Sequence, residues 1–162
     1  MANMNNEQKL INDLLKKNAS LSPAPLKILS SCVAAKKNCD VEFTGTIPGM
    51  LVQNQFCLEA KSDKATNKSN NVLLIFGDIL KDRKLNGLSN VSYGALLEYH
   101  SSQGMKSFFI DQIQKYIDSV DWDNFGSTYG CDYIFFYDDS THELFYSEWT
   151  GFVTAKSIKK WF

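Results

Sequence analysis

The chain has no apolar run approaching the roughly 18 uncharged residues that a membrane-spanning helix needs, which excludes insertion by such a helix. Its start, MANMNNEQKLINDLLKK, lacks a basic opening, an apolar core and a small-residue cleavage site. The expectation is therefore a cytoplasmic protein with no secretory signal. Neither G-x-G-x-x-G nor G-x-x-x-x-G-K-S/T occurs among its nine scattered glycines, so nucleotide use has no motif behind it. H-E-x-x-H and G-x-S-x-G are missing as well, and only His100 and His142 could serve as imidazole bases.

Cysteine is sparse and irregular: Cys32, Cys39, Cys57 and Cys131. In the cytosol such thiols stay reduced, and they read as isolated small hydrophobes. Cys32 and Cys39 would share a face only on one continuous helix, and Lys36, Lys37 and Asn38 end that helix first. No further Cys or His has zinc-like spacing, so neither a metal nor a cofactor is expected.

The most informative absence is of charge of one sign. Residues 116–155 hold eight acids and no Lys or Arg, whereas residues 1–115 carry a net +4 and the last seven a net +3. The same forty residues contain twelve of the 21 aromatics. Natural surfaces usually mix signs. Acid with aromatic is the composition of a surface that receives a basic protein, with rings as anchors and charge as steering. A field of that sign repels phosphates, which argues against nucleic acid as a partner.

At 162 residues, with 44% hydrophobic and 22% charged, the chain has the size and composition of one globular domain spanning 1–162. Its organising stretch is Tyr133–Tyr146, YIFFYDDSTHELFY, which predicts a central β-hairpin. With Asp138–His142 as a five-residue loop, Tyr137 faces Glu143 and Asp132 faces Glu148, a like-charge conflict across the ladder. One face then carries Tyr133, Phe135, Tyr137 and Phe145, the other Ile134, Phe136, Leu144 and Tyr146. Both are apolar, so both need cover.

Elsewhere, Leu10, Ile11, Leu14 and Leu15 recur at helical spacing and predict a helix over Asn5–Lys17. A second helix is expected from Pro25, with Leu26, Leu29, Val33 and Cys32 as its stripe. Val41–Thr44 and Leu51–Ala60 read as strands about a turn at Thr46–Gly49, and Ser62–Asn71 as a solvated loop. Val72–Phe76 suits a buried strand or a buried helical turn. Ser92–Ser101 and Met105–Val120 look helical, and Thr154 could cap a last short helix carrying Ile158 and Trp161. The order reads as α+β, with a mainly antiparallel sheet and the C-terminal hairpin packed by helices.

In the basic-free block, Trp122, Tyr129, Tyr146 and Trp149 are the candidate anchors for a partner. Asp121, Asp123, Asp138, Asp139 and Glu148 are the carboxylates that would face its lysines or arginines. Asp121–Gly126 followed by Asp132 has acids at the first, third and twelfth places of a calcium loop, but Phe125 stands where an oxygen ligand is needed. The alternative is a small hydrolase or transferase in which Asp138, Asp139 and His142 act together, with or without a divalent metal. His100 has no distinctive pairing with Glu98 in this reading.

In size, in its acidic aromatic block and in its lack of catalytic motifs, the chain resembles the immunity proteins that neutralise bacterial toxins, such as those of contact-dependent growth inhibition. The resemblance implies a small cytoplasmic, non-catalytic inhibitor that binds a cognate, often basic, nuclease toxin. It covers no specific motif and transfers no residue.

Overall fold

The computed structural model describes residues 6–31, 39–61, 91–101, 132–148 and 158–162. Helix α1 runs over Asn6–Ser20, with Glu7 in its first turn and Lys17 in its last, both favoured by the helix dipole. Leu10, Ile11 and Leu14 are buried on one face. The strands are β1 (Leu26–Ser31), β2 (Val41–Thr46), β3 (Gln53–Lys61), β4 (Ser92–Tyr99), β5 (Tyr133–Asp138), β6 (Glu143–Glu148) and β7 (Lys159–Lys160). They form one sheet in chain order. The β3–β4 and β4–β5 pairs are parallel and the other four antiparallel, so the sheet is mixed, with β4 at its middle.

Three segments expected to be helical are strands. Leu26–Ser31 is extended because Asn18, in the last turn of α1, hydrogen-bonds both backbone groups of Leu26. Leu26 and Ile28 then pair with Gly45 and Phe43, while Leu29 points outward, 44% exposed. Ser92–Tyr99 is a strand flanked on both sides by parallel neighbours and buried on both faces. A strand covered on both faces shows no alternation, so its apolar run is indistinguishable from a buried helix by periodicity. Near the end of the chain, Lys159 and Lys160 pair with Tyr146 and Phe145 instead of entering a helix.

The register of β5 and β6 differs from the expected one by one residue. Tyr137 pairs with Leu144 and Asp138 with Glu143, so the turn is the four residues 139–142. A one-residue slip turns every side chain of a strand over. Leu144 and Tyr146 consequently share a face with Phe135 and Tyr137, and Phe145 shares the other with Phe136. The like-charge conflict disappears: Tyr133 faces Glu148, and the Asp132 carboxylate accepts a hydrogen bond from Tyr93 N at 3.0 Å. In sheet order this pair lies beyond the centre.

One face of the sheet carries Phe43, Phe56, Leu58, Leu96, Phe135, Tyr137, Leu144 and Tyr146, covered by α1 and by Trp161. Trp161 meets Phe43, Phe56, Phe135 and Tyr146 with ring centroids 5.8–6.2 Å apart. The opposite face, with Tyr93, Ala95, Leu97, Ile134 and Phe136, is buried too. Cys39 and Cys57 are joined in a disulfide that ties the entry of β2 to β3, which overturns the expectation of isolated thiols there. Among the described residues no helix is long and apolar enough to cross a membrane. The expected loop at 62–71, strand at 72–76 and helix at 105–120 lie outside the described residues, as do Cys32 and Cys131.

Candidate functional site

Alternation along a strand puts residues two apart on one face. Glu98 and His100, at the end of β4, are such a pair, and Tyr137 and Asp139, at the end of β5, are another. Because Glu98 pairs with Tyr137 in the parallel ladder, one further step brings His100 beside Asp139. His100 Nδ1 is 2.7 Å from Asp139 Oδ1, and His100 Nε2 is 4.0 Å from Glu98 Oε1. One donor atom from each of the three lies within 4.8 Å of the other two. Burial deepens inward, with side-chain exposures of 30% for Asp139, 14% for His100 and 8% for Glu98. Burial raises the Asp139 pKa above its ordinary value, and Glu98 adds to this while the His100 contact opposes it.

Asp138 is fully buried and organises the turn. Its Oδ1 accepts hydrogen bonds from Ser140 N (2.9 Å), Thr141 N (3.3 Å) and Ser101 N (3.4 Å). Burial alone would raise its pKa, but these donors outweigh it and hold the carboxyl below its usual value. Asp139 N also donates to Tyr99 O at 3.1 Å. The turn and the end of β4 are thereby tied together, which fixes Asp139 relative to His100.

His142 belongs to a different group. It closes the turn with left-handed backbone (φ 60) and faces α1, where Nδ1 is 3.0 Å from Asp13 Oδ2 and 3.1 Å from the Tyr137 hydroxyl. Burial and the adjoining Asp13 raise the Tyr137 pKa far above 10. The expected grouping of Asp138, Asp139 and His142 therefore does not form: Asp139 goes to His100, Asp138 to the turn backbone, and His142 to Asp13.

The opposite pole of the sheet is apolar and open. In the β2–β3 turn Met50 is 53%, Leu51 100% and Val52 63% exposed. A cavity of about 360 Å³ beside it is lined by Ile47, Pro48, Gly49, Met50, Tyr146, Ser147, Glu148 and Lys159. Glu148 is exposed at its rim, and Tyr146 forms a buried wall. Glu143, further along β6, is paired with Lys160 at 2.6 Å, which holds its carboxyl below 4.5.

Of the residues singled out from sequence, Tyr146 and Glu148 come together at this cavity. Asp138 is buried and turned to the backbone, so its carboxylate is not presented outward, and Asp139 is half-buried against His100. Asp121, Trp122, Asp123, Tyr129 and Trp149 lie outside the described residues. The Glu98–His100–Asp139 group was missed because a helical reading of Ser92–Ser101 separates Glu98 from His100. Reading Glu98-Tyr99-His100 with strand alternation places both on one face. No family model, no curated protein and no solved structure matches the chain.

Proposed function

We propose that the chain is a non-catalytic protein-binding module, an immunity or inhibitor protein that neutralises a basic, nuclease-type toxin. The observation that carries this reading is the Met50–Leu51–Val52 turn beside the cavity of Tyr146 and Glu148. Three consecutive exposed apolar side chains lie outside the core cluster, and an exposed apolar patch of this kind marks an interaction surface. Leu51 and Met50 are the apolar anchors, and Glu148 at the rim meets a lysine or arginine of the partner. Asp121, Trp122, Asp123, Tyr129 and Trp149 of the basic-free block are further partner contacts on composition alone.

The reading is of a cytoplasmic protein. The contrary observation is the Cys39–Cys57 bond, since cytosolic thiols are kept reduced. Trapping free thiols with an alkylating agent at the moment of cell lysis decides it: Cys39 and Cys57 modified in the native cell place the chain in a reducing compartment.

The test is capture of the partner at low and high salt, followed by affinity measurement with the purified pair and a nuclease assay. Leu51→Asp and Glu148→Lys are expected to weaken association without lowering the melting temperature, with Glu148→Lys acting mainly on the association rate. A complex indifferent to salt and to both substitutions would sink the proposal.

A further inference from the structure

We propose that Glu98, His100 and Asp139 form a binding site for a first-row divalent metal ion such as Zn2+ or Mn2+, at the carboxyl ends of the parallel strands β4 and β5. This goes beyond the protein-binding reading and uses the opposite pole of the sheet.

The donor set is one imidazole and two carboxylates, with donor atoms that all lie within 4.8 Å of one another. Metal–N and metal–O bonds of about 2.0–2.2 Å put ligand atoms of one ion roughly 3–3.5 Å apart. The group therefore closes on an ion by side-chain movements of about an ångström, with His100 exchanging its 2.7 Å contact to Asp139 for a bond to the metal. The imidazole favours transition metals over Mg2+ or Ca2+, which prefer oxygen alone.

Charge supports the same assignment. Glu98 is almost wholly buried and Asp139 is half-buried, and two carboxylates gathered about one imidazole favour the approach of a cation. A divalent ion neutralises both. The site is also built before any ion arrives: the Tyr99–Asp138 register, the Asp139 N to Tyr99 O bond and the Ser101 N to Asp138 bond hold the two strand ends in place. Three protein ligands leave a further position for water or a substrate oxygen, and the half-buried Asp139 lies on the side open to solvent.

The competing account is that His100 is simply protonated between its two carboxylates. The full chain, stripped with a chelator and dialysed, separates the two by metal uptake and by NMR of the imidazoles, because it has only two histidines. Zn2+ is expected to bind at one equivalent and to shift the ring signals of His100 while those of His142 stay in place. His100→Gln, Asp139→Asn and Glu98→Gln should each weaken binding about tenfold or more, with melting in chelator showing that the variants fold. No saturable uptake, a shift at His142 instead, or uptake unchanged by His100→Gln would overturn the site. Should a variant fail to fold, the wild-type His100 signals by themselves decide between the two accounts.

Discussion

Asn18 grips Leu26 by both backbone groups: its Nδ2 donates to Leu26 O and its Oδ1 accepts from Leu26 N, each at 2.9 Å. A buried side-chain amide thus stands in for a neighbouring strand, and it sets the direction in which the chain leaves α1 for the sheet. Both Leu26 groups would lack these partners without it.

Replacing Asn18 by Ala is expected to cost about 2–4 kcal/mol, since it orphans a buried donor and a buried acceptor together. Asn18→Asp makes the sharper test. Its carboxylate can still accept from Leu26 N but opposes Leu26 O, whereas the protonated carboxyl can donate to that oxygen. Chemical denaturation across pH should show this variant regaining stability as the carboxyl protonates, while Asn18→Ala does not.

Asp138 and Asp139 are expected to influence acid stability with opposite signs. The Asp138 carboxyl sits below its unfolded value of 3.8, so its contribution is present above that pH and is lost as pH falls through the folded value. Asp139 is raised above 3.8, so its contribution is complete below 3.8 and is lost as pH rises through its folded value. Unfolding free energies measured through the acid range should lose pH dependence on the acid side in Asp138→Asn. In Asp139→Asn the fall with rising pH should be the part removed.

Gly94 allows β4 and β5 to approach. A Cβ added there would collide with the backbone carbonyl of Tyr133 and crowd the Leu58 side chain. The carbonyl is held in place, because Asp132 N and Tyr93 O are hydrogen-bonded at 2.6 Å across the same junction. Gly94→Ala should therefore cost about 3 kcal/mol in equilibrium unfolding, at the upper end of ordinary overpacking.

The Cys39–Cys57 bond closes a loop with a sequence separation of 18. The chain-entropy relation for a loop of this length gives about 3 kcal/mol of stabilisation. The Cys39→Ala, Cys57→Ala double variant and the reduced wild type should both unfold at lower denaturant by a similar margin. Equal stability of oxidised and reduced protein would show that the bond contributes nothing.

Local chemistry was legible wherever neighbours in sequence are also neighbours in space. The stripe Leu10, Ile11 and Leu14 identifies α1, alternation identifies β2, and Pro48-Gly49 marks a turn, but that turn runs on to β3 at Gln53, so Leu51, expected as a strand residue, is fully exposed instead. The turn after β5 is one residue shorter than the sequence suggests, because a string of polar residues does not show which of them makes the last rung. Asp138, taken for loop, is a strand residue whose carboxylate binds the backbone of the turn it precedes.

What composition and periodicity decide here is the amphipathic first helix, the β2–β3 pair and the concentration of acid and aromatic residues without a basic one. The parallel setting of β4 beside β3 and β5 comes from pairings across long stretches of chain, which no local window contains. That setting makes a strand of an apolar run with helical character, moves Asp139 from His142 to His100, and brings Glu98 to the same point. The reason is geometric. A side chain's face follows from its neighbours in sequence only once its strand is known, and which residue stands opposite depends on register, which the packed sheet alone supplies.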